Sequence, residues 1–189
     1  DFAWGGNRMP VTIKHLYNSL LYNQQYTAKS SIGLNTAEFG AMKLGLGFKL
    51  NIMQSMVEVI GENKYIYTGE SGEELYFMPT NDENIYKTSE EDGELEYNDS
   101  TRILDNGDKY LFDENGRLIK ITDGDNENNA IEIVYTDNKL TAVKDAVNRV
   151  FTLGYDENGY LTSITAPDGT QITYTYASDL LTAVNYPNG

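Results

Sequence analysis

Apolar and polar residues alternate along much of this 189-residue chain, in runs too short for long helices. Leu44, Leu46, Phe48, Leu50 and Ile52 take every second position, with Gly45, Gly47, Lys49 and Asn51 between them. A period of two sends one side chain to a core and the next to solvent, so this stretch predicts a half-buried strand. Val11 to Tyr17 predicts another strand, and the first ten residues an entry arm. Asn18 to Gly33 shows no period and reads as a loop-rich stretch. Thr36 to Met42 fits a short helical turn with Thr36 as its N-cap.

Beyond residue 55 the strands come at short intervals. Gly61-Glu62-Asn63 separates Met56–Ile60 from Lys64–Thr68, and Gly69-Glu70-Ser71-Gly72 precedes Glu74–Met78, where Pro79 marks a strand end. Glu91-Asp92-Gly93, Asp105-Asn106-Gly107 and Asp113-Glu114-Asn115-Gly116 continue the punctuation. Tight turns every 8–12 residues or so, with Asn-Gly among them, predict an antiparallel meander. The expected fold is all-β, built of consecutive hairpins, with little helix.

Roughly the last eighty residues contain an internal repeat. Phe112-Asp113-Glu114-Asn115-Gly116-Arg117-Leu118-Ile119-Lys120-Ile121 aligns with Tyr155-Asp156-Glu157-Asn158-Gly159-Tyr160-Leu161-Thr162-Ser163-Ile164. Shorter units start at Tyr135 and Tyr176, with Leu140 and Val143 in one and Leu181 and Val184 in the other. The leucines recur at steps of 22, 21 and 20 residues, and the aliphatic residue three places later keeps those steps. Each position has a structural task. The aromatic closes one strand and the leucine opens the next, so they can face each other across the hairpin. Asp113 and Asp156 can accept from backbone N–H groups two or three residues on. Gly116 and Gly159 suit a positive φ that other residues enter at a cost.

Tyr/Phe-Asp-x-x-Gly-x-Leu-x-x-Ile at a period near 21 resembles the YD repeat of RHS-type proteins. Phe112–Ile121 and Tyr155–Ile164 match it in full, whereas the units at Tyr135 and Tyr176 keep only the aromatic, the leucine and the aliphatic residue. Upstream, Arg8-Met9-Pro10, Leu16-Tyr17-Asn18-Ser19, Leu44 to Phe48, and Gly69 to Gly72 followed by Tyr76-Phe77 are similar to the region preceding such repeats. The resemblance implies about four repeat units in 103–189 and an N-terminal β-rich region in 1–102. It implies a spiralling sheet that closes into a hollow, non-catalytic shell around a C-terminal effector, commonly a toxin. It further implies a bacterial protein that is secreted or cell wall-associated, with the remainder of its own shell and the effector domain as partners. The family's self-cleaving core has no match here. The chain stops at Pro-Asn-Gly within the repeat pattern and reads as a fragment of a larger protein.

Composition narrows the chemistry. Cysteine is absent and His15 is the single histidine, which removes thiolate nucleophiles, disulfides and Cys- or His-paired metal sites. Asp plus Glu number 29 against 14 Lys plus Arg, a net charge of −15 that repels nucleic acid and anionic lipid. No apolar run approaches a membrane-spanning length. Asp123, Asp125 and Glu127 start like half of a calcium loop, but Asn128 stands at its sixth place and Val134 at its twelfth. The neighbouring repeat lacks the cluster, so the simplest account is a loop insertion, which explains the longer 22-residue step. Gly45-x-Gly47 is a fragment of a phosphate loop without its third glycine. With so many carboxylates, an acid pair of glycosidase spacing arises by chance, and no enzyme or cofactor is expected. The competing reading is a carbohydrate or cell-surface-binding module, because 15 tyrosines on a sheet can stack on glycan. Such a module would show solvent-facing aromatics in one row.

Overall fold

The computed structural model describes residues 2–4, 9–19, 42–88, 94–98, 101–105 and 107–187. Fourteen strands form one antiparallel meander in which every strand pairs with its neighbours in sequence. They are β5 (Ser55–Val59), β6 (Lys64–Thr68), β7 (Glu74–Pro79), β8 (Ile85–Lys87), β9 (Glu94–Asn98), β10 (Thr101–Asp105) and β11 (Lys109–Phe112). The series continues with β12 (Leu118–Asp123), β13 (Asn126–Thr136), β14 (Lys139–Lys144), β15 (Val150–Tyr155), β16 (Leu161–Thr165), β17 (Gln171–Ala177) and β18 (Leu180–Asn185). Two small sheets precede it: β1 (Phe2–Trp4) with β2 (Val11–Ile13), and β3 (His15–Tyr17) with β4 (Phe48–Leu50). The described residues are nearly all β, as the alternating pattern predicts.

One face of the meander is dry. Phe77, Leu95, Phe112, Leu118, Leu140, Phe151, Leu161, Ile164 and Ile172 are almost wholly buried. They join a single core with Val11, Ile13, Leu50, Met53 and Met56, so the N-terminal residues cover that face. An antiparallel sheet with one packed face and one wet face needs the period-two pattern, and β17 shows it, with Ile172 and Tyr174 buried beside exposed Gln171 and Thr175.

Five local expectations are corrected. The stretch from Leu44 to Ile52 is a strand only over Phe48–Leu50, because Gly45 (φ +89°) and Gly47 (φ +82°) bend the chain before it. Lys49 and Asn51, expected in solvent, are buried. Val11 to Tyr17 forms two strands, since Asn51 takes the Lys14 N–H on its side-chain oxygen at 2.8 Å and separates β2 from β3. The expected entry arm contributes β1, which pairs with β2. Asn126 to Asn129 are the start of an eleven-residue strand and not a loop insertion. The loop-rich stretch beyond residue 19, most of the helical turn at Thr36–Met42, Glu91-Asp92-Gly93 and Asn106 lie outside the described residues.

Candidate functional site

The repeat positions meet at the hairpin turns along one rim of the sheet. At the first, Asp113 N–H donates to the Arg117 carbonyl and Gly116 N–H to the Asp113 carbonyl, each at 2.9 Å. Gly116 has φ +76°, which makes this a three-residue loop closed by a left-handed residue and a bulge. The Asp113 carboxylate accepts from Asn115 and Arg117 N–H at 3.0 and 2.8 Å. Asp156 repeats this with Asn158 and Tyr160, both at 2.9 Å, and Gly159 sits at φ +85°. The partners are thus two and four residues on, where the sequence suggested two or three. At the Tyr135 unit, Asp137 (φ +49°) and Asn138 (φ +60°) make the turn without a glycine.

The aromatic–leucine pairs face each other in register: Phe112 with Leu118, Tyr135 with Leu140, Tyr155 with Leu161 and Tyr176 with Leu181. Leu118, Leu140, Leu161, Val143 and Ile164 are fully buried, while Ile121, Leu181 and Val184 are half-buried against the same core. Neighbouring units are stitched by two further contacts. Tyr155 Oη donates to the Leu140 carbonyl at 2.7 Å, and Tyr176 Oη to the Leu161 carbonyl at 2.9 Å. Burial pushes both phenols well above the usual tyrosine range, so they stay protonated donors. The residue before each leucine then lies on the aromatic of the next unit. Arg117 stands 4.6 Å from the Tyr135 ring, Lys139 Nζ 5.6 Å from Tyr155, and the Tyr160 and Tyr176 centroids are 4.9 Å apart.

Sequence reasoning missed a copy of the same turn on the opposite rim. Asp145 accepts from Val147 and Arg149 N–H at 3.0 and 2.8 Å, Asn148 takes φ +63°, and Arg149 Nε reaches the second carboxylate oxygen at 2.6 Å. Asp113 and Arg117 make the same ion pair at 2.7 Å. The signal was the spacing Asp-x-x-Asn-Arg beside Asp-x-x-Gly-Arg, hidden because Asn replaces Gly. The sequence also gave no sign of buried Lys49, whose ammonium donates to the Gly69 carbonyl. Burial lowers its pKa to about 8 against the pull of Glu73 and Glu70.

Candidates for chemistry are not brought together. Asp123 is buried and accepts from Asp125 N–H at 2.9 Å and Asn129 Nδ2 at 3.0 Å, while Glu127 pairs with Lys109 at 3.2 Å. Among the described residues, no three acidic or histidine side chains form a metal-binding group. His15 packs edge-on to Phe48 (5.5 Å) and tilted against Tyr174 (4.7 Å). Burial lowers its pKa to about 4, partly offset by the Leu44 backbone. Gly45 and Gly47 make room for Leu181 and Tyr17, each of which a Cβ would strike at less than 3 Å. Tyr17, Tyr76 and Tyr186 are the most exposed tyrosines among the described residues, and they lie on three separate segments with no common row.

The family model described as RHS Repeat matches residues 135–171 and again 155–189. No curated protein matches the chain. The two matches overlap by most of one unit, in keeping with the recurring turn geometry.

Proposed function

We propose that this RHS/YD-repeat protein is a structural shell segment, without catalysis of its own, that encloses or presents a C-terminal effector. The observation that carries this reading is how motif groups are used. Asp113, Asp156, Gly116 and Gly159 shape their own turns, the Tyr155 and Tyr176 hydroxyls serve the preceding unit, and Arg117, Lys139 and Tyr160 cover the next aromatic. Motif groups spent on their own turns and on neighbouring units suit a scaffold.

In this reading residues 1–102 precede the repeats and 103–189 supply them, and the partners are the rest of the same shell and the effector. The β18 edge supports it. Leu180 holds the place that Arg117, Lys139 and Tyr160 use against the following aromatic, and it is 53% exposed. A further unit would set its aromatic there and its hydroxyl on the Leu181 carbonyl, covering an edge that carries no charged residue. Residues of β2, β4 and the 42–56 segment already cover the dry face here, so an effector would meet sheet beyond these units. The protein would act outside the cell or at its surface. The test is limited proteolysis of the parent polypeptide. Protection of a folded segment downstream of residue 189 until the shell is opened supports the reading; immediate digestion of that segment counts against it.

A further inference from the structure

Three of the repeat turns touch residues 42–56 through the same main-chain positions, two through a carbonyl and an amide and the third through the carbonyl. At the Phe112 unit, the Gly116 carbonyl accepts from Met56 N–H at 2.9 Å and Leu118 N–H donates to the Gln54 carbonyl at 3.1 Å. At the Tyr155 unit, the Gly159 carbonyl accepts from Lys43 N–H at 2.8 Å and Leu161 N–H donates to the Lys43 carbonyl at 2.9 Å. At the Tyr176 unit, Asp179 occupies the glycine position, and its carbonyl accepts from Leu46 N–H at 2.9 Å.

The visiting strand runs antiparallel at the Phe112 turn, Ser55 against Arg117, and parallel at the Tyr155 turn, Lys43 against Tyr160. A site that accepts both directions reads N–H and C=O groups and not a side-chain sequence. The bulge at each turn directs the glycine-position carbonyl and the leucine amide out of the hairpin ladder. The missing side chain lets another backbone close in, since a Cβ on Gly116 would stand 2.5 Å from the Met56 carbonyl oxygen. The Tyr135 unit has Asn138 at that position, and there Leu140 N–H turns to Met42 Sδ at 3.1 Å.

We infer that the Gly-x-Leu step of the Phe112 and Tyr155 turns, with its counterpart at Asp179, is a docking site for extended polypeptide backbone, and that residues 42–46 and 54–56 of this chain occupy it. The row of turns is then a rail along one rim of the sheet. Its ligand is any extended segment that offers an N–H and a carbonyl, so side chains of the segment are replaceable and proline at a donating position is not. This inference is independent of what a shell would enclose.

Residue-resolved hydrogen exchange on the full chain tests it, with Lys43→Ala and Lys43→Pro as the informative pair. Lys43→Ala removes an ammonium 4.8 Å from the Tyr160 ring but keeps both main-chain groups, so the Leu161 amide should exchange within about threefold of the parent rate. Lys43→Pro removes the N–H, and Leu161 exchange should rise by about tenfold or more while Leu118 is unchanged. Gly116→Ala should instead accelerate Leu118 and Met56. Gly169→Ala should change none of these amides, because Gly169 has φ +86° with nothing within 4 Å of its would-be Cβ. If the proline variant fails to fold, the parent chain still decides: Leu118 and Leu161 amides must exchange about tenfold or more slowly than exposed turn amides. Exchange at turn rates in the parent, or equal acceleration by alanine and proline at residue 43, would overturn the inference.

Discussion

A single tyrosine hydroxyl shows how the repeat works at the residue scale. Tyr155 Oη and Tyr176 Oη each bond a leucine carbonyl fifteen positions earlier, in the preceding unit. Tyr155→Phe keeps the ring and leaves a buried carbonyl with one partner fewer, so it should cost about 1–2 kcal/mol in urea unfolding. The glycines make a sharper comparison. Gly116→Val and Gly169→Val both force a β-branched residue to positive φ, at about 1–2 kcal/mol. Only Gly116 also has the Met56 carbonyl against its open side, so its variant should be measurably less stable. His15 introduces a pH dependence of known sign. Its folded pKa is held near 4, below the unfolded value of about 6.5, so the unfolded chain binds more protons between the two. Stability should therefore fall as pH drops from about 6.5 to about 4, by up to about 3 kcal/mol, and His15→Gln should flatten that slope in pH-dependent melts.

Hairpins were legible in the sequence because strand and turn each carry their own signal. Leucines recurring near every 21 residues, with aromatic and Asp-x-x-Gly before them, leave few other solutions. What escaped was set by contacts between distant segments. Lys49 and Asn51 look solvent-facing by alternation, yet Gly69 and Lys14 receive them and bury them. The split between β2 and β3 likewise depends on one asparagine 37 residues away. The turn at Asp145 escaped for a local reason: asparagine can take the left-handed conformation that the repeat motif reserves for glycine. Asp145→Ala should consequently destabilise as Asp113→Ala does, by about 1–3 kcal/mol, since each carboxylate accepts two main-chain N–H groups and pairs with an arginine. At the β12–β13 hairpin, Asp123 is already engaged and Glu127 holds Lys109. Thermal melts with and without calcium ions should coincide there, and Asp125→Asn should move them by less than about 0.5 kcal/mol.

On the scale of the whole molecule, the fourteen-stranded sheet and the N-terminal segments share one core, so units should unfold together and not one at a time. The central claim is that repeat positions exist to hold neighbouring units in place. Equilibrium urea unfolding of Leu161→Ala beside Leu180→Ala tests it most directly. Leu161 is fully buried between units, and its truncation should cost roughly 2–5 kcal/mol. Leu180, one residue before the equivalent Leu181, sits at the position of Tyr160 on the exposed β18 edge, and its truncation should shift stability by less than about 0.5 kcal/mol. Leu161→Ala unfolding at the parent midpoint would contradict a structural role for the motif.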